Sequence, residues 1–260
     1  MAFSTRFTVG FMATICVVCS ALVSVAAVTL RDRHQVNALR DRQRNVLVAA
    51  GLVERGEKVS EETVAELFEA RVKTLVVDLE EGTIDTSIDP TTYDPRRAAQ
   101  DPEQRRRLAE NSAGLVATAP YELVYELTDE DGELDAIVLP VAGRGLWSTL
   151  YGYLALEADL VTVRGIAFYE HAETPGLGGE VDSARWRASW KGRRAFDEEG
   201  KPVIAVTKGP APPPEDEPHE VDGLSGATIT ANGVTGLVRF WLGEEGFGPF
   251  LARYAKERGR

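Results

Sequence analysis

Cysteine is almost missing from this chain. Of 260 residues only Cys16 and Cys19 carry thiols, and both fall in the first thirty positions. A disulfide-stapled scaffold is excluded, and so is a cysteine-built zinc or iron–sulfur site in the rest of the chain. Histidine is scarce too. His34, His171 and His219 stand far apart, without the three or four closely set ligands that a zinc site needs. Positive charge is in deficit: 29 Lys and Arg against 41 Asp and Glu leave a net charge of −12. That balance excludes a nucleic-acid-binding face, which has to be basic, and argues against docking on anionic lipid headgroups. The serine-hydrolase, zinc-protease, Walker and dinucleotide-turn signatures are all absent. What remains is 43% hydrophobic and 27% charged, the composition of a folded globule.

One long apolar run stands at the start. Residues 7–30, FTVGFMATICVVCSALVSVAAVTL, carry no charge between Arg6 and Arg31. At helical rise they reach about 36 Å, enough to cross a hydrocarbon core of about 30 Å with some tilt. A cleaved signal peptide has a shorter apolar region, so the run is expected to be a retained transmembrane anchor. Cys16 and Cys19 share one face of it by their i, i+3 spacing and read as small apolar residues rather than a redox pair. Arg31, Arg33, Arg40, Arg42 and Arg44 follow the run. Positive-inside counting would therefore leave the main domain in the cytoplasm, although that rule weakens for long translocated domains.

Beyond the anchor the sequence reads as α+β. A charged helix over 31–50 turns apolar at Val46, Leu47 and Val48. A second begins with Ser60 as N-cap and carries a stripe of Val64, Leu67, Phe68 and Val72. Residues 80–115 read as loop with a short polar helix. Strand-forming composition marks 134–142, 149–158, 160–171 and 203–207. Prolines make 209–218 an acidic loop. After Thr230, residues Val234, Leu237, Val238, Trp241 and Leu242 recur at helical spacing, and Gly243 and Gly246 end that helix. A terminal helix follows. The expected fold is a twisted, antiparallel-rich sheet with helices at both ends.

Three glycine-punctuated stretches are candidates for chemistry: VAGRGLWSTLYGYLAL (141–156), HAETPGLGGEV (171–181) and VDGLSGATITANGV (221–234). Each sets hydroxyl or aromatic side chains beside glycines that allow close backbone approach, and each alone could be an ordinary turn. The third has more content. Ser225, Gly226, Ala227 and Thr228 precede a strongly amphipathic helix, whose free N–H groups would suit a phosphate. Asp222 could orient a metal or a hydroxyl there. The same residues also fit a plainer role, with Ser225, Thr228 and Thr230 as alternative helix caps.

DGLSGAT (222–228) resembles the flavinylation motif of FMN-binding domains. HAETPGLG (171–178) and GRGLWSTLYGY (143–153) resemble two further signatures of one branch, the C-subunit of the Na+-translocating NADH:quinone reductase. The likeness extends over essentially the whole chain. The arginine in GRGLWS and the proline-rich insert at 210–218 are departures within it. The motif alone is shared with the G-subunit of Rnf-type ferredoxin:NAD oxidoreductases, the nearest rival. A membrane-anchored, cofactor-free binding or scaffold domain is the rival from another class.

The resemblance implies FMN held by a phosphoester on Thr228, attached by a periplasmic flavin transferase that consumes FAD. It implies a single-pass inner-membrane protein in complex with the other reductase subunits, relaying electrons in a Na+-pumping enzyme. The implied layout is a cytoplasmic N-terminus at 1–6, the anchor at 7–30, a juxtamembrane helical and loop segment at 31–115 packed on the main domain, and a periplasmic FMN-binding domain at 116–260. Ser225, Gly226, Ala227 and Asp222 surround the attachment point. Trp147, Leu177, Ser148 and Thr174 are candidates to line the ring, with Gly178 beside them. Glu173 is expected to hydrogen-bond the flavin or its ribityl chain, and His171 to shape its environment.

Overall fold

The computed structural model describes residues 4–259. It divides into two compact units, with the boundary between Arg42 and Gln43.

The first unit is helical. Helix α1 spans Thr5–Ala49. Its part from Thr5 to Leu30 is apolar and long enough to cross a membrane, and none of it is buried. Cys16 and Cys19 are free thiols exposed on that stretch.

The second unit is built on a five-stranded antiparallel sheet. Its strands are β1 (Val72–Asp78), β4 (Tyr121–Thr128), β5 (Leu134–Arg144), β6 (Thr149–Glu157) and β7 (Val163–Glu170), in the order β1-β4-β5-β6-β7. Two-residue strands β2 (Arg106–Arg107) and β3 (Ala117–Thr118) pair with each other, as do β8 (Ala205–Val206) and β9 (Glu220–Val221). The helices are α2 (Glu61–Arg71), α3 (Pro95–Gln100), α4 (Ala184–Ala188), α5 (Thr228–Leu242) and α6 (Gly248–Glu257). Ser60 caps α2 by accepting the N–H of Thr63.

Both faces of the sheet are buried, which is why its strands read as near-continuous apolar runs. Successive side chains alternate between the two faces. Leu75 and Val77 of β1 join one core, closed by Val234, Leu237, Val238 and Trp241 of α5. Val76 joins the other, which takes in Val46–Ala50 at the end of α1 together with Val64 of α2. The apolar turn at Val46, Leu47 and Val48 thus packs the last turn of α1 under the sheet.

Several expectations need correction. The segment 31–115 is more than helix and loop. It supplies β1, and residues 43–115 are built into the same compact unit as the rest. Val72 leaves the helical stripe and opens that strand. β4 lies in a segment where Glu122 and Glu126 broke the apolar pattern. Glu126 is nevertheless buried, accepting from the Tyr254 hydroxyl at 2.7 Å and pairing with Arg258 at 3.1 Å. β7 begins at Val163 rather than near 160, because Asp159 accepts the N–H groups of Val161 and Thr162 and holds a turn there. Finally, α5 starts at Thr228, so Thr230 is a residue of the helix and not its cap.

Candidate functional site

The three glycine-rich stretches meet at the start of α5. The 145–148 turn joins β5 to β6, the 171–178 loop leaves β7, and 222–227 leads into α5. Glu173 is the common contact. It is 4% exposed. Its Oε1 accepts the backbone N–H of Trp147 at 2.9 Å, and its Oε2 accepts the Thr230 hydroxyl at 2.5 Å. Burial alone would raise its pKa, but the Thr230 hydroxyl and the N–H groups of Trp147, Leu146 and Ser148 outweigh that and hold it below the ordinary carboxylate range. This carboxylate ties the 145–148 turn and the first turn of α5 to the 171–178 loop.

Close packing around Glu173 requires glycine. A Cβ on Gly145 would lie 2.6 Å from Glu173 Oε1, and one on Gly178 would lie 2.6 Å from the Thr230 hydroxyl. Ser148 and His171 brace the same loop. The Ser148 hydroxyl accepts the Ala172 N–H at 2.8 Å. His171 Nδ1 accepts the Glu173 N–H at 3.2 Å, and its Nε2 meets Asp182 Oδ2 at 3.0 Å. Above them the Trp147 indole N–H donates to the Thr174 hydroxyl at 3.2 Å. Trp147 is 68% exposed, Leu177 43% and Ile229 59%, and Thr228 is exposed as well.

The third stretch is anchored from behind. Asp222 Oδ1 accepts the Ala211 N–H at 2.8 Å and its carbonyl accepts the Trp186 indole at 2.7 Å, and the residue also lines the cleft beside Thr228. Among the described residues no cluster of His, Cys, Asp or Glu could hold a metal ion. Gly226 has φ +70°, and only Leu177 Cδ2 lies near where its Cβ would be. Ala227 occupies the N-cap position of α5 and no side chain caps the helix. Among the described residues no acceptor meets the N–H groups of Thr228, Ile229 or Thr230. An uncapped helix start with free donors suits an anion.

Thr228 also stands at the rim of a cleft of about 590 Å³, walled by Trp186, Val206, Leu224 and Ser225 and flanked by Arg185 and Lys208. Trp186, Arg185 and Lys208 escaped the sequence reading, because nothing local marks them; they reach the site through α4 and the segment after β8. An exposed hydroxyl, free N–H donors and a cleft with an aromatic and aliphatic wall, lined by two cations and by the carboxylates Glu180 and Asp222, fit a phosphate-bearing aromatic cofactor such as FMN through the helix start rather than through net charge.

Comparison with known proteins supports that chemistry. Residues 145–243 match the FMN-binding domain family, so the part of the chain holding all three loops is of the FMN-binding class. The chain as a whole belongs to the family of the C-subunit of the Na(+)-translocating NADH-quinone reductase. It is 46% identical to that subunit of Pseudomonas aeruginosa over 256 residues, covering 97% of each chain. It is 43% identical to that of Yersinia pestis over 241 residues, covering 92% of this chain and 89% of the relative. The crystal structure of Shewanella oneidensis NqrC superposes with a TM-score of 0.76 at 38% identity, covering 84% of this chain and 98% of that one. The C-subunit of Parabacteroides distasonis gives 0.66 at 26% identity, covering 85% and 96%.

Proposed function

We propose that Thr228 carries FMN through a phosphoester, and that the chain relays electrons as a membrane-anchored subunit of a Na+-pumping NADH:quinone reductase. The observation that carries this reading is the exposed Thr228 at an uncapped helix start, on the rim of a cleft. Thr228 Oγ1 bonds to the flavin-side phosphorus of FAD, the diphosphate bridge breaks, and AMP departs while the hydroxyl proton is released. A flavin transferase outside the cytoplasm catalyses this exchange. The free N–H groups of α5 then face the phosphate, and the helix dipole favours its charge. When bound, the flavin supplies the redox chemistry, and the protein sets its position and potential.

Trp147, Leu177 and the Thr174 hydroxyl flank the ring, and Gly226 leaves room for it beside Leu177. Ser225 and Ala227 complete the turn that presents Thr228. Glu173, Ser148, Gly178 and His171 hold these groups in register without needing to touch the flavin. The main domain lies in the periplasm and the anchor in the inner membrane, against the arginine count after the anchor. The other subunits of the reductase are its partners. The family named by the relatives supports this reading over the Rnf-type one. In-gel fluorescence of the denatured chain tests it: a fluorescent band is expected, and a dark band from cells that express the transferase would return the cofactor-free scaffold.

A further inference from the structure

Helix α5 carries five hydrogen-bonding side chains apart from its tryptophan: Thr228, Thr230, Asn232, Thr235 and Arg239. Three of them are engaged. Thr230 donates to Glu173 Oε2 at 2.5 Å. The Thr235 hydroxyl donates to the Ala231 carbonyl at 3.1 Å and accepts the Val206 N–H at 2.9 Å. Arg239 donates to the carbonyls of Ile204 and Val203 at 2.9 and 2.5 Å. Thr228 and Asn232 are left. Both are exposed, and among the described residues neither side chain makes a hydrogen bond.

Their spacing puts them together. Residues four apart lie one above the other on a helix, with about 6 Å between their Cβ atoms. Thr228, Ala231 and Asn232 all line the cleft of about 590 Å³. The neighbouring positions face elsewhere. Thr230 meets the 171–178 loop, and Gly233 packs against the 144–145 backbone, where a Cβ would lie 2.4 Å from the Arg144 carbonyl. Asparagine is a poor helix former, because its amide competes for backbone groups. Asn232 sits in the second turn of α5 and gains no bond in return among the described residues.

The other polar groups of the cleft narrow what Asn232 can bind. Asp222 accepts the Ala211 N–H, Ser183 caps α4, and the Trp186 indole donates to the Asp222 carbonyl. Charge does not select an occupant, since Arg185 and Lys208 are matched by Glu180 and Asp222. A neutral amide that both donates and accepts suits neutral hydroxyls better than a phosphate. FMN has such groups next to its phosphate, in the ribityl chain that leads to the ring.

We propose that Asn232 binds the ribityl hydroxyls of a flavin carried on Thr228, and so holds the start of the cofactor along the cleft face of α5. The inference rests on the FMN reading and adds a binding residue to it.

The test compares the native full chain with Asn232→Ala, in detergent, from cells that express the flavin transferase and from cells that lack it. Alanine is the better helix former, so without flavin the variant should melt no lower than the native chain. Mass spectrometry should find flavin on Thr228 in both loaded proteins. In the loaded variant the ratio of held to free flavin should fall about fivefold, the worth of one ordinary hydrogen bond. Lower flavin fluorescence anisotropy and stronger quenching by iodide would report it. Unchanged anisotropy and quenching would overturn the proposal. So would a flavin-free variant that melts below the native chain, which would make Asn232 a structural residue, or a folded variant that takes no flavin, which would place its role in attachment. A native chain that takes no flavin from the transferase would overturn the FMN reading itself, and this inference with it.

Discussion

The Thr230 hydroxyl donates to Glu173 Oε2 from the first turn of the helix that begins at Thr228. The contact joins residues 57 positions apart and lies wholly inside the protein. It fixes the 171–178 loop to α5, and the Trp147 N–H on the other oxygen fixes the 145–148 turn to the same carboxylate.

Removing that carboxylate leaves buried donors without an acceptor. Glu173→Ala should therefore cost about 1–3 kcal/mol, seen as a lower denaturant midpoint. The pH dependence has a definite sign. A carboxyl held below its free value, 4.5 here, stabilises the fold fully above that value. The contribution is lost as pH falls from there through the lowered folded value. Glu173→Gln should flatten this acid limb of the stability curve. A limb as steep as that of the native chain would show that Glu173 does not contribute to it.

Gly178 tests the same packing by addition. Its Cβ would sit 2.6 Å from the Thr230 hydroxyl and 2.8 Å from Glu173 Oε2, so one of them has to move. Gly178→Ala should lose roughly 1–3 kcal/mol, the usual cost of overpacking. An unchanged thermal midpoint would mean the loops give way freely.

How far the sequence could be read depended on whether a signal was local. The α5 stripe and strands β5 to β7 were legible because their apolar period is unbroken. β4 was not, because Glu126 looks exposed until Tyr254 and Arg258 of the C-terminal segment arrive to satisfy it. The three loop motifs were legible as motifs, but the roles inside them were not. The burial of Glu173 between the loops could not be read locally, and Thr230 read as a cap and proves to face that carboxylate. Neither role could be seen without the other residue.

Topology follows from the anchor and the attachment chemistry together. Protease added to intact spheroplasts should digest the chain beyond α1, and amino-terminal sequencing should find the apolar run retained. Protection until lysis would put the domain in the cytoplasm, as the arginine count has it. A mature chain beginning near Val28 would make the run a cleaved signal.

Of the three hydroxyls around the start of α5, Thr228 is the one proposed to bear the flavin, and neither Ser225 nor Thr230. Thr228 is exposed at an uncapped helix start, whereas Thr230 is fully buried against Glu173. Thr228→Ala should abolish attachment with little loss of stability, since no hydrogen bond of its side chain holds the helix start. Ser225→Ala should still accept flavin, more slowly. The most direct measurement is mass spectrometry of the tryptic peptide 209–239, which contains all three hydroxyls. It should carry the mass of one FMN less water, with fragment ions placing that mass on residue 228. The same mass on residue 225 or 230, or retained in Thr228→Ala, would contradict the account.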